Sequence, residues 1–435
     1  MSYYMPTTAN KKSEISVQSI ITVGCIILIW SILLLRDIFD IGFNRYIILA
    51  VAVMGMIASD IKGTNIVLFA LLPFMSGIPS TYIFAAYILI RFLKHMPFSA
   101  ISVILIAFAA VSEMLASAFY QSASIMQLFN HIIGVSVFFI LINESEGEDH
   151  AQVLKFYFYS TAVVCFIIIA NGLLHAPSNW LELFAKGWFR FGATEVENAT
   201  GMKLTLNANT LGYYSISGMS IGLVLFGRSK GIGKVLQLGC MAICLLAGFL
   251  SLSRSWMLIA AVTIILYVST TVRSPKTAVL TVLALGLASV VVASVLSNNP
   301  EIMEGFQTRF SDDTMATGGG RTELLLQYLE KFSESVRVAV FGAGCVEYRT
   351  VLDMPTSMHN GTEQMLVCYG FLGMTVFLYG MFRTVVRIRR GVSAIYWLPM
   401  IATLLFVQTI QFVFPTYLLM PYIPTVYCVW LGNRK

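Results

Sequence analysis

Long apolar runs separated by short polar connections set the pattern along most of the chain. A membrane-spanning helix needs about 20 mostly apolar residues. By that measure the candidate spans are Ser16–Leu35, Tyr46–Ser59, Thr64–Gly77, Thr81–Phe92, Phe98–Phe119, Ile125–Ile142 and Val153–Leu174 in the first half. They continue with Asn207–Phe226, Gly233–Leu252, Arg254–Thr271, Thr277–Leu296, Gly361–Phe382, Ser393–Gln411 and Phe414–Trp430. That is about fourteen spans, or about twelve if short runs between residues 45 and 93 are tilted or re-entrant. The pattern predicts an all-α fold, a polytopic transmembrane helical bundle. A polar tail with Lys11 and Lys12 leads into the first run, and no small-residue cleavage site follows it, which predicts a retained first helix.

Two polar stretches break the pattern and divide the chain. Residues 1–174 form an N-terminal helical block, 175–206 a first long loop, 207–297 a central block, 298–360 a large loop, and 361–435 a C-terminal block. The stretch from Asn298 to Asn360 is too long and too polar for a hairpin between helices. Loops of that size in compact proteins are usually functional or disordered. It contains Thr317-Gly318-Gly319-Gly320-Arg321-Thr322-Glu323-Leu324, then Phe341-Gly342-Ala343-Gly344, then Met358-His359-Asn360. Thr322–Phe332 has a helical stripe in Leu325, Leu326 and Leu329, so the loop is expected to be partly helical.

Composition agrees with the membrane reading. Hydrophobic residues make up 57% and charged residues 11%, against about 25% charged in a soluble domain. The net charge of +6 therefore reports topology rather than nucleic-acid affinity. Lys11/Lys12, Arg91/Lys94, Arg228/Lys230/Lys234, Arg273/Lys276, Arg383/Arg387/Arg389/Arg390 and Arg434/Lys435 all fall on one side if the spans number about fourteen. That side is expected to be the cytoplasm, with both termini there and both long loops on the opposite face. The acidic connection from Asn143 to Asp149 reads as a solvated surface, and a contact with a chain-length regulator protein is the functional alternative. All cysteines but Cys345 lie in apolar runs, and Cys345 has no partner in its loop, so no structural disulfide is expected. Cys240 and Cys244 lie one turn apart without further ligands nearby, and no metal site or cofactor is expected.

Candidate chemistry lies on the outer face, where arginine is disfavoured by default. Arg190, in Trp188-Phe189-Arg190-Phe191-Gly192, either binds an anion or snorkels from an aromatic belt. Asn209, in Asn207-Ala208-Asn209-Thr210-Leu211-Gly212, either lines a site or caps its helix. Arg254 follows Ser251-Leu252-Ser253, and a cation facing a bundle is a functional hypothesis by default. Arg321 follows three glycines at a helix start, an arrangement suited to an anion, or else it decorates an interfacial helix. His359-Asn360 precedes a span, and an imidazole can move protons near neutral pH. Arginine forks grip phosphate oxygens in pairs and can stabilise a departing diphosphate without a metal.

At these residues the chain resembles the O-antigen polymerase and O-antigen ligase superfamily. The resemblance rests on Arg190-Phe191-Gly192, Asn209-Thr210-Leu211-Gly212, Ser251-Leu252-Ser253-Arg254, Gly320-Arg321, Phe341-Gly342-Ala343-Gly344, His359-Asn360 and Gly370-Phe371-Leu372-Gly373. It covers roughly the second half of the chain. The sequence departs from the family pattern at Asn207-Ala208-Asn209, where proline often precedes the second asparagine. The resemblance implies that Arg254 and Arg321 grip a diphosphate, that His359 is the general base or orients the acceptor, and that Arg190 and Asn209 line the cavity, with Asn360 beside His359. The expected activity is polymerisation of undecaprenyl-diphosphate-linked oligosaccharide units at the periplasmic face of a bacterial inner membrane, with no cofactor and no nucleic acid. Transfer of the glycan to lipid A-core by a ligase is one alternative. A polysaccharide flippase is another, which would show basic residues at mid-membrane and broken, paired helices.

Overall fold

The computed structural model describes residues 17–120, 124–143, 149–192, 204, 206–271, 294, 297–311, 320–388 and 391–433. The candidate span Thr277–Leu296 lies almost wholly outside these residues. So do Lys11/Lys12, Arg273/Lys276, residues 144–148, Thr317–Gly319, Arg389/Arg390 and Arg434/Lys435. Every regular element among the described residues is helical, and the chain is an all-α, multi-pass membrane bundle.

The helices are α1 (Val17–Ile38), α2 (Arg45–Ala58), α3 (Ile61–Leu71), α4 (Ser80–Leu93), α5 (Ala100–Tyr120), α6 (Ile125–Asn143) and α7 (His150–Leu174), then the short α8 (Trp180–Ala185). The central helices are α9 (Ala208–Phe226), α10 (Ile232–Leu250) and α11 (Arg254–Thr271). The large loop holds α12 (Pro300–Ser311), α13 (Arg321–Ser333), α14 (Val336–Phe341) and α15 (Tyr348–Val351). The C-terminal part holds α16 (Gly361–Ile388), α17 (Leu398–Val407) and α18 (Ile423–Asn433). Among the described residues, seven helices are long and apolar enough to cross a bilayer, and shorter apolar helices accompany them.

The short helices depart from the expected spans. Ser393–Gln411 and Phe414–Trp430 become α17 and α18, each flanked by a 3-10 segment. The helix α9 is long but only moderately apolar, because it faces protein rather than lipid. All but a few of its residues are buried, and its serines and glycines let α7, α10, α11 and α17 pack close. A polar chain locks this centre: the Trp256 indole donates to Ser215 Oγ (2.8 Å), which donates to the Cys244 carbonyl (2.5 Å).

One span is broken. Within α16, Gly370 has φ +66°, outside the helical region, and frees carbonyls of the preceding turn. Unpaired backbone at membrane depth must find protein partners. The loop after α14 provides them: Ala343 N–H donates to the Val367 carbonyl (2.9 Å) and Gly344 N–H to that of Cys368 (3.0 Å). A β-carbon at Gly342 would collide with the Cys368 carbonyl, and one at Gly370 with the backbone of Val340. The two glycine motifs noted in the sequence are therefore two halves of one close backbone contact, which docks the large loop against the broken helix.

Candidate functional site

The starts of α9, α11 and α16 and the ends of α10 and α17 meet at one end of the bundle. Helix directions put the basic connections at Lys94, Arg228 and Arg383 at the other end. There Lys94 holds the end of α2 through the Met56 and Ser59 carbonyls, and Arg228 donates to the Tyr396 hydroxyl.

At the first end lies a cavity of about 190 Å³, lined among others by Arg321, Met358, His359, Asn360, Glu363 and Gln408. Arg321 opens α13 after Gly320, whose φ of +77° turns the chain into the helix. Its pKa is lowered by burial first and then by the charge of the Arg254 guanidinium, which does not itself line the cavity. The His359 ring is open to solvent on one side. Its pKa is also lowered, by partial burial and then by the Arg321 charge, so the neutral imidazole persists below the ordinary histidine range. The charge of Arg321 thus couples to that of Arg254 and to the His359 ring.

Arg254 is aimed by a tight turn. Ser251 Oγ donates to the Gly248 carbonyl (2.6 Å), Leu252 takes a left-handed φ of +48°, and Ser253 Oγ accepts from Trp256 N–H (3.4 Å). Ser253 Oγ also donates to Asn209 Oδ1 (3.2 Å), which ties Asn209 to the same corner. Asn209 does not cap its helix. Asn207 does, accepting from Thr210 N–H at 2.9 Å, which leaves Asn209 inside the first turn. Arg190 belongs to a loop packed on this corner, where Phe191 N–H donates to the Leu250 carbonyl and Gly192 abuts Leu206. It does not line the cavity around Arg321. Asn360 does line it, but its Oδ1 caps α16, accepting from Thr362 N–H (3.0 Å) and Glu363 N–H (3.1 Å).

Two residues escaped the sequence reading. Glu363, in the first turn of α16, is buried and lines the cavity, and its Oε1 has no hydrogen-bond partner. An acidic residue at the entrance of an apolar run was the available signal. Gln364 is fully buried and holds the chain after α17: Oε1 accepts from Phe412 N–H (2.8 Å) and Val413 N–H (3.0 Å), and Nε2 donates to the Phe414 carbonyl (2.9 Å). Gln408 pairs with Thr362 across the cavity mouth (2.9 Å).

A second cavity, about 380 Å³ and almost wholly apolar, opens between α5, α14 and α16, with Phe108, Leu115, Phe341 and Leu372 on its walls and Arg337 among its lining residues.

These features define a multi-pass membrane protein with a cationic pocket carrying an imidazole at one end of the bundle. No family model matches the chain and no curated protein matches it, so the pocket is read from its own chemistry.

Proposed function

We propose that the protein is a metal-independent membrane glycosyltransferase that extends polysaccharide from a polyprenyl-diphosphate-linked donor, as an O-antigen polymerase does. The observation that carries this reading is the cavity lined by Arg321 and His359, with the charge of Arg254 acting on Arg321. Two guanidinium groups that feel each other's charge, one of them partly desolvated, suit a dianionic partner. An acceptor hydroxyl attacks the anomeric carbon, the new glycosidic bond forms, and the bond to the lipid diphosphate breaks. The arginines hold the charge that builds on the departing diphosphate. The hydroxyl proton passes to the neutral His359 imidazole or to the carboxylate of Glu363. The apolar cavity beside α16 suits the hydrocarbon chain of such a donor. The reading places the pocket on the periplasmic side of an inner membrane, because the basic connections at the other end favour the cytoplasm.

The deciding experiment is elongation of a purified lipid-linked oligosaccharide by the purified protein. Arg254→Ala, Arg321→Ala and His359→Ala are each expected to abolish elongation while the protein still inserts. Arg321→Lys is expected to fail as well, since an ammonium cannot form the paired contacts. Full activity in all three alanine variants removes the proposal. Deleting the gene separates the ligase reading: a polymerase mutant displays single repeat units on its lipopolysaccharide, and a ligase mutant none. The break in α16 favours the flippase as a second reading, since broken helices are common in transporters. Movement of intact lipid-linked units across vesicles without elongation would establish it instead.

A further inference from the structure

The docking point of the large loop contains chemistry that the arginine pocket does not use. Glu113 from α5, His131 from α6 and Cys345 from the loop after α14 bring a carboxylate oxygen, an imidazole nitrogen and a thiol sulfur within 4.8 Å of one another. All three residues are buried: 2%, 1% and 0% exposed. The Glu113 carboxylate accepts the Cys345 N–H on both oxygens, at 2.8 and 3.0 Å. Among the described residues its nearest ion-pair partner is the His131 ring, at 3.6 Å. His131 Nε2 also meets the Tyr369 hydroxyl at 3.0 Å, while Nδ1 is buried without a partner. The Cys345 thiol lies against Cys368 and Tyr369.

A carboxylate buried without a cation is expensive, and so is an orphan imidazole nitrogen. A divalent ion relieves both. Imidazole, thiolate and carboxylate together are the donor set of zinc and its neighbours, whereas calcium and magnesium favour oxygen alone. Burial holds the Cys345 thiol well above its ordinary pKa. An ion would therefore have to displace its proton to solvent as the metal–sulfur bond forms. The donor atoms are spread wider than a bound ion needs, so binding draws the three side chains inward.

We propose that Glu113, His131 and Cys345 form a structural site for a zinc-class divalent ion that pins the large loop to α5 and α6. The site is separate from the arginine pocket and stands whether or not the protein transfers sugars.

The test uses tag-free, full-length protein in detergent, incubated with Zn(II), desalted and assayed for metal, with Co(II) as the optical probe. The expected result is about one ion retained per chain and a sulfur-to-cobalt charge-transfer band in the near ultraviolet. Both are lost in Cys345→Ser and His131→Gln and kept in Cys240→Ser. Unfolding temperatures measured without metal separate a lost ligand from a lost fold. Where the variants do not fold, the wild-type spectrum decides alone. No retained ion, a cobalt spectrum without the sulfur band, or an unchanged band in Cys345→Ser overturns the site.

Discussion

Arg321 is partly buried and lies within the field of Arg254, and both effects disfavour its charged form. A pocket of this kind suits an anion, and the Arg321 charge also acts on His359. A positive neighbour disfavours the imidazolium, so the protonated ring appears only below its ordinary value of about 6.5. Diethylpyrocarbonate, which modifies neutral imidazole, is expected to react with His359 with a pH midpoint below that value, in a signal absent from His359→Asn. Arg321→Gln removes the charge and should move the midpoint upward; an unchanged midpoint would remove the coupling. Arg321 and His359, which share a cavity, stood out in the sequence as charged or titratable groups in a polar break between apolar runs, whereas Arg190, singled out with them, does not line it. Which asparagine caps α9 was not legible, since one residue of register decides it, and the cap went to Asn207. The cluster of Glu113 and His131 was hidden for another reason: its members sit in different apolar runs and meet only through the fold, Tyr369 being 238 residues from His131.

At the scale of elements, the glycines separate three situations. Gly320 has φ +77° with open space around it, Gly342 has φ +84° against the Cys368 carbonyl, and Gly233 has open space in an ordinary helical turn. Gly320→Ala is expected to destabilise by about 1–2 kcal/mol, the left-handed penalty alone. Gly342→Ala combines that penalty with a collision and is expected to lose roughly 2–5 kcal/mol. Gly233→Ala should be neutral or stabilising by about 0.5–1 kcal/mol. Thermal unfolding in detergent ranks them, and equal midpoints for Gly320→Ala and Gly342→Ala would contradict the docking of the loop on α16. The long helices could be read from apolar run length, α9 among them as Asn207–Phe226, but the break at Gly370 could not, because it falls inside an apolar run that reads as continuous.

Over the whole molecule, the helix directions put the cationic pocket and the basic connections at opposite ends. A membrane-impermeant maleimide is expected to label Thr322→Cys from one side of sealed vesicles and Lys230→Cys only from the other; labelling of both from the same side would overturn the arrangement. The partition of the chain into helical blocks and two long loops follows the alternation of apolar and polar stretches. What the alternation could not tell is that the large loop folds back into the bundle rather than standing above it. The order of synthesis gives that return a consequence. The segment that plugs α16 is made before α16 itself, and it must wait unsupported until the next helix emerges with carbonyls to receive it. Until then the two segments lack the hydrogen bonds they exchange, so a delay at that single join leaves backbone groups without partners.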